Sequence, residues 1–131
     1  MLQWTRSQLW PRQHLTPLLA LALNWMLLQP NPAPAAEAEP IDRLLRTRQC
    51  PRCDLRGADL SHQDLRGANL SQADLRGANL SNSYLARANL AQANLAGANL
   101  QGATLREANF YRAHLPEANL AGANLRAAYL V

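Results

Sequence analysis

With 131 residues the chain has room for one small domain and an export signal. Hydrophobic residues make up 48% of it and aromatic residues 5%, which excludes a disordered chain and a core built on large rings, and leaves a core of many aliphatics in a regular arrangement. All thirteen basic residues are arginine; Arg6 and Arg12 precede every one of the nine acids, so the chain after residue 36 carries 11 − 9 = +2, too little to assign nucleic acid as a partner.

The first 14 residues carry Arg6, Arg12 and His14 and no acid. Residues 15–28 are apolar apart from Thr16, Pro17 and Asn24, and NPAPAAEAEP follows. This charged, apolar, small-residue order predicts a cleaved signal peptide over residues 1–36, with A-x-A sites at 33–35 and 36–38, and an uncleaved anchor is the competing reading. The apolar run falls short of the roughly 20 residues that cross a bilayer, so no stable membrane insertion is expected after cleavage.

Residues 37–52 read as a linker and a short capping helix. Pro40 suits a first helical position, Ile41, Leu44 and Leu45 follow at i, i+3 and i+4, and Arg46 and Arg48 stand where a helix C-terminus favours positive charge. A disordered linker is the competing reading, since short isolated helices are marginal. The segment ends in CPRC, where Cys50 and Cys53 are a candidate disulfide in an oxidising compartment, a pair of independent buried thiols, or a redox pair. A redox C-x-x-C opens a helix after a strand; this one follows a helix, which favours the bridge. Zinc would need about four ligands, and His14, His62 and His114 do not stand at suitable spacing, so no metal or cofactor is expected.

From residue 53 the chain falls into fives. Leu55, Leu60, Leu65, Leu70, Leu75, Leu80, Leu85, Leu90, Leu95, Leu100, Leu105, Phe110, Leu115, Leu120, Leu125 and Leu130 form an unbroken series of sixteen centres. Alanine stands two residues before thirteen of them, the exceptions being Cys53, Gln63 and Ser83. On an α-helix a five-residue step advances about 140° and scatters the leucines around the axis. On a plain strand an odd step flips each one to the opposite face. Only a backbone that turns once per repeat keeps every fifth side chain inward, and such a coil buries its leucines by stacking on its neighbours.

The runs ADLSH, ANLSQ, ANLSN, ANLAG and ANFYR resemble the A-(D/N)-L-x-x signature of the pentapeptide-repeat family, over residues 53–131. The resemblance implies an all-β fold, a right-handed quadrilateral β-helix of about four coils with four quintets to the coil. The leucine and the residue two before it then face inward, and residues twenty apart stack into core ladders. Alanine fits the narrow interior; Gln63 either enters a wider first turn or distorts its repeat. Stacked Asn69, Asn89 and Asn109, and Asn79, Asn99 and Asn119, are expected to bond from coil to coil, and Arg87 to pair with Glu107.

The functional expectation is a non-enzymatic, exported structural or protein-interaction scaffold with no nucleic-acid partner. Its protein partner is not named by the sequence. Short exported relatives of this kind point to a cyanobacterial-type periplasm or thylakoid lumen, or otherwise to secretion. His62 and His114 have no nucleophile in their repeats, and the glycines at 57, 67, 77, 97, 102 and 122 are turn positions, not a phosphate loop. One alternative is a thiol-redox protein using Cys50 and Cys53. Another is a DNA-mimicking topoisomerase regulator, disfavoured because such relatives are long, acidic and intracellular. Outward positions in the second half hold Tyr84, Tyr111, Arg112, His114, Pro116 and Tyr129; Tyr111, Arg112 and Tyr129 share a face and form a candidate partner patch, with ordinary surface decoration as the alternative. The coil over residues 115–130 has no following coil to cover it, so weak self-association through that edge is expected.

Overall fold

The computed structural model describes residues 39–131. The signal peptide expected at 1–36 lies outside the described residues. The first element is α1, Pro40–Thr47. Pro40 enters at a position whose N–H has no helical acceptor, Asp42 lies in the first turn and Arg46 in the last, each on the side that the helix dipole favours. Arg48 then turns left-handed at φ 57°, and its N–H closes the helix on the Leu44 carbonyl at 2.8 Å. The apolar stripe points one way: Leu44 is fully buried in the same cluster as the repeat leucines, and Ile41 packs against that cluster.

After α1 the backbone winds. Thirteen parallel bridges run from Gln49↔Asn69 to Asn109↔Tyr129, and every one joins residues twenty apart, so four quintets make one turn. Each bridge stands at the residue before a core centre, a leucine except at Cys50 and Phe110, and a turn separates it from the next. The pairing is therefore carried by isolated bridges, with no longer strand among the described residues. The hydrogen bonding of one quintet repeats along the tower. Leu55 N donates to Asp74 O at 2.8 Å and Gly57 N to Arg76 O at 2.9 Å, toward the coil that follows. Asp74 N donates back to Cys53 O at 2.9 Å, and Ala58 N closes the corner on Leu55 O at 3.1 Å. Four of the five amides are thus satisfied by a regular backbone pattern.

Each corner needs a left-handed residue at the third position of a type II turn. Gly57, at φ 65°, fits it without strain, whereas Ala127 occupies the same place at φ 59° with a Cβ to accommodate.

Leu60 through Leu105 in the ladder are fully buried, Leu55 and Phe110 nearly so, with alanines filling the space beside them. Ser83 takes an alanine place with no loss of polar satisfaction, because its Oγ donates to Leu80 O at 2.7 Å. Gln63 does stretch its corner: its N–H reaches Leu60 O at 3.4 Å, and its Nε2 turns to Ser61 O at 3.4 Å. The coil nevertheless keeps its register, since Tyr84 N still donates to Gln63 O at 2.9 Å.

The winding begins earlier than residue 53. Cys50 stands five before Leu55, is fully buried, and donates its N–H to Asn69 O at 2.9 Å as each leucine does one coil on. A cysteine thus fills the leucine place in the opening quintet. At the other end the interior opens, with Leu115, Leu120 and Leu125 partly buried and Leu130 59% exposed.

Candidate interaction surfaces

The twenty-residue register turns the linear sequence into four faces, each named here by its leucine ladder. On the Leu55 face, the quintets written D-L-R fold into closed ion pairs. The Asp54 carboxylate accepts the Arg56 amide at 3.2 Å and is gripped by Arg56 Nε and Nη2 at 2.8 and 2.7 Å. These bonds hold the Asp54 carboxyl down at about 2. One coil on, Asp74 and Arg76 repeat the fork at 2.8 and 2.6 Å. On the Leu65 face Asp64 and Arg66 do the same, and Arg48 adds a second cation at 3.1 Å, so the Asp64 carboxyl is held well below the usual range, by Arg66 first.

Where asparagine replaces aspartate, the side chain still accepts the amide two residues on, as Asn69 Oδ1 does from Ser71 N at 3.2 Å. Its amide group is then free to reach the coil below. Asn119 donates to Asn99 at 3.3 Å and Asn99 to Asn79 at 3.4 Å, which is the expected amide ladder. Asn109 donates to Asn89 at 3.3 Å; no such bond links Asn89 to Asn69. Arg87 Nε meets Glu107 at 2.8 Å, one coil apart as expected, and holds the Glu107 carboxyl below its usual range.

Cys50 and Cys53 are joined by a disulfide, with Cα atoms 5.4 Å apart. Both are buried beneath α1, and the Arg43 guanidinium lies against the sulfurs. Tyr111 and Tyr129 stack with centroids 6.2 Å apart, and Arg112 Cζ lies 5.1 Å over the Tyr111 ring, so Tyr111 joins the other two side chains of the candidate patch. His62 and His114 are exposed on different faces, and no group of three or more histidines, cysteines and acids among the described residues could hold a metal. No described helix is long and apolar enough to cross a membrane.

Folding also brings together arginines that are far apart in the chain. On the Leu65 face, Arg48, Arg66, Arg87 and Arg106 surround an open groove of about 530 Å³ with Gly67, Ala86, Thr104 and Glu107. Its signal is a column, Arg66–Ala86–Arg106–Arg126, whose members are twenty residues apart and whose alanine leaves the hollow.

The family model for pentapeptide repeats matches residues 53–92, 83–120 and 93–131, in eight copies. Taken together these span 53–131, more than half of the chain. No curated protein matches. Among solved structures, the chain is 26% identical to a pentapeptide repeat protein of the Arabidopsis thaliana thylakoid lumen, covering 64% of this chain and 63% of that one with a TM-score of 0.39. It is 39% identical to HetL, a pentapeptide repeat protein involved in heterocyst differentiation regulation in the cyanobacterium Nostoc sp. strain PCC 7120, over 61% of this chain and 39% of that one, TM-score 0.33. It is 25% identical to a pentapeptide repeat protein from the cyanobacterium Cyanothece 51142, over 68% of this chain and 91% of that one, TM-score 0.32. The chain therefore spans less than two thirds of the length of the first two.

Proposed function

This chain belongs to the pentapeptide-repeat family, whose fold is a right-handed β-helix, and on that footing we propose that it is a non-enzymatic, exported scaffold that binds protein. In this reading four coils form the body, α1 caps it, and the mature protein resides in the periplasm or thylakoid lumen. The export component rests on the charged, apolar and small-residue order of residues 1–36. Binding rests on one observation: Tyr111 stacks on Tyr129 and lies under Arg112, and Tyr129 is exposed, a combination of aromatic rings and a cation that anchors protein interfaces. A pull-down from the exported fraction tests it. Tyr111→Ala/Arg112→Ala is expected to lose partners that the parent recovers, and equal recovery would remove this patch. Fractionation of a tagged chain tests export, and a full-length cytoplasmic product would overturn it.

Weak self-association is a second component. The amides of Leu115, Leu120 and Leu125 have no backbone acceptor among the described residues, although each equivalent amide one coil earlier has one, and the leucines beneath them are only partly buried. An unpaired edge over open apolar surface suits a second copy of the chain. Sedimentation should show mass rising with concentration; a constant monomer mass would refute it. The thiol-redox reading is disfavoured by burial of both sulfurs, which keeps a substrate disulfide away.

A further inference from the structure

We propose that the groove on the Leu65 face binds an extended acidic segment of a partner protein, whose carboxylates take the place that aspartate holds in the D-L-R quintets. The inference rests on the scaffold reading and gives it a ligand chemistry on a face separate from the tyrosine patch.

Its starting point is a broken rule. Wherever the chain writes D-L-R, the arginine has its own carboxylate two residues earlier, at 2.7 Å for Asp54 and Arg56, 2.7 Å for Asp64 and Arg66, and 2.6 Å for Asp74 and Arg76. Residues 104–106 and 124–126 read T-L-R and N-L-R instead. They keep the arginine and drop the acid. Both fall on this face in adjacent coils, with Thr104 bridged to Asn124 and Glu107 N donating to Arg126 O at 3.0 Å.

Among the described residues neither Arg106 nor Arg126 has a carboxylate within ion-pair distance. Glu107, the nearest acid in sequence, is held by Arg87 at 2.8 Å. Coils stack about 4.8 Å apart, so two arginines in consecutive coils repel each other, and an anion from outside relieves that repulsion. The hollow above Ala86 gives the anion access, and the flat fork of each guanidinium suits a carboxylate. Tyr84, 52% exposed and bridged between Asp64 and Thr104, adds an aromatic platform on the same face. Asp64 and Glu107 at the rim would oppose the continuous charge of a nucleic acid, whereas a protein segment with spaced acids can avoid them.

The test uses the full chain and a fluorescein-labelled decapeptide of alternating Glu and Ser, followed by fluorescence anisotropy at low ionic strength. Thr104→Asp/Asn124→Asp rebuilds the D-L-R pairing inside the chain and is expected to weaken binding at least tenfold. Arg106→Gln/Arg126→Gln should do the same, while Arg56→Gln/Arg76→Gln on the Leu55 face should leave the affinity within twofold. Parent-like binding by both groove variants would overturn the proposal, as would an equal loss in the Leu55-face variant. A sulfated oligosaccharide that outcompetes the peptide, with the same arginine dependence, would overturn the assignment to acidic protein. Should the groove variants recover every partner in the pull-down while Tyr111→Ala/Arg112→Ala loses them, the scaffold reading stands and the groove falls.

Discussion

Leu44 of α1 and the bridged Cys50 and Cys53 are buried with the core at the start of the winding, whereas the coil that reaches Leu130 leaves its ladder half open. Beyond the opening quintet, where Cys50 holds the core place, the leucine and the quintet are the same in both coils. What differs is the number of neighbouring layers. Leu85 has a coil on each side and is fully buried, while Leu130, with a coil on one side only, remains 59% exposed. In a stacked repeat protein stability resides in the contacts between layers, so identical residues contribute unequally. The electrostatics divide along the same axis: the D-L-R pairs lie at 54–76, and neutral Thr104 and Asn124 occupy the equivalent places later.

Substitution of the ladder should expose the largest inequality. Leu85→Ala is expected to lose about 3 kcal/mol of unfolding free energy, and Leu130→Ala less than about 0.5 kcal/mol, both read from urea melts; equal losses would abolish the layered account. The closed end should depend on its bridge. Cys50→Ser/Cys53→Ser is expected to lose about 2 kcal/mol, the figure for a loop this short, and reductant should lower the melting temperature of the parent but not of the variant.

Corners should respond less. Ala127→Gly relieves a left-handed alanine and is expected to gain up to about 0.5 kcal/mol, part of the relief being offset by the freer unfolded chain, while Gly57→Ala should lose about 1 kcal/mol. A loss in the first case would show that the open coil is too loose for its corner to matter. The smallest effect is expected from acid. Folding depresses the Asp54 carboxyl from its ordinary 3.8 to about 2, and the Asp64 and Asp74 carboxyls move the same way. The resulting stability is present above the ordinary value and is lost as the pH falls from about 4 toward 2. All three pairs reach solvent, with Asp74 only partly exposed, so the decline should be shallow. Asp54→Asn/Asp64→Asn/Asp74→Asn should flatten it; an unchanged slope would assign the acid sensitivity elsewhere.

The five-residue step made the winding legible because every fifth place from residue 55 holds a leucine, with Phe110 the one exchange. The period alone does not say how many quintets make a turn; that number came with the family resemblance, and the bridges between residues twenty apart carry it. The opening quintet was harder to see, since its core position holds Cys50 and a count of leucines starts five residues later. Gln63 could not be resolved from sequence, because its outcome depends on whether one corner hydrogen bond stretches. The arginine groove was hidden for a different reason: Arg66, Ala86 and Arg106 become neighbours only after the chain is folded into columns.

The same register has a consequence for how this molecule could be lengthened. A whole coil of twenty residues could be inserted and every downstream side chain would keep its compass bearing. A single added quintet would leave the ladder continuous but swing everything after it by a quarter turn. Placed between Leu85 and Leu105, that insertion would carry Arg106 and Arg126 away from Arg66 and onto the next side of the square. Core and surface are therefore written in different arithmetic: the interior counts in fives, the exterior in twenties.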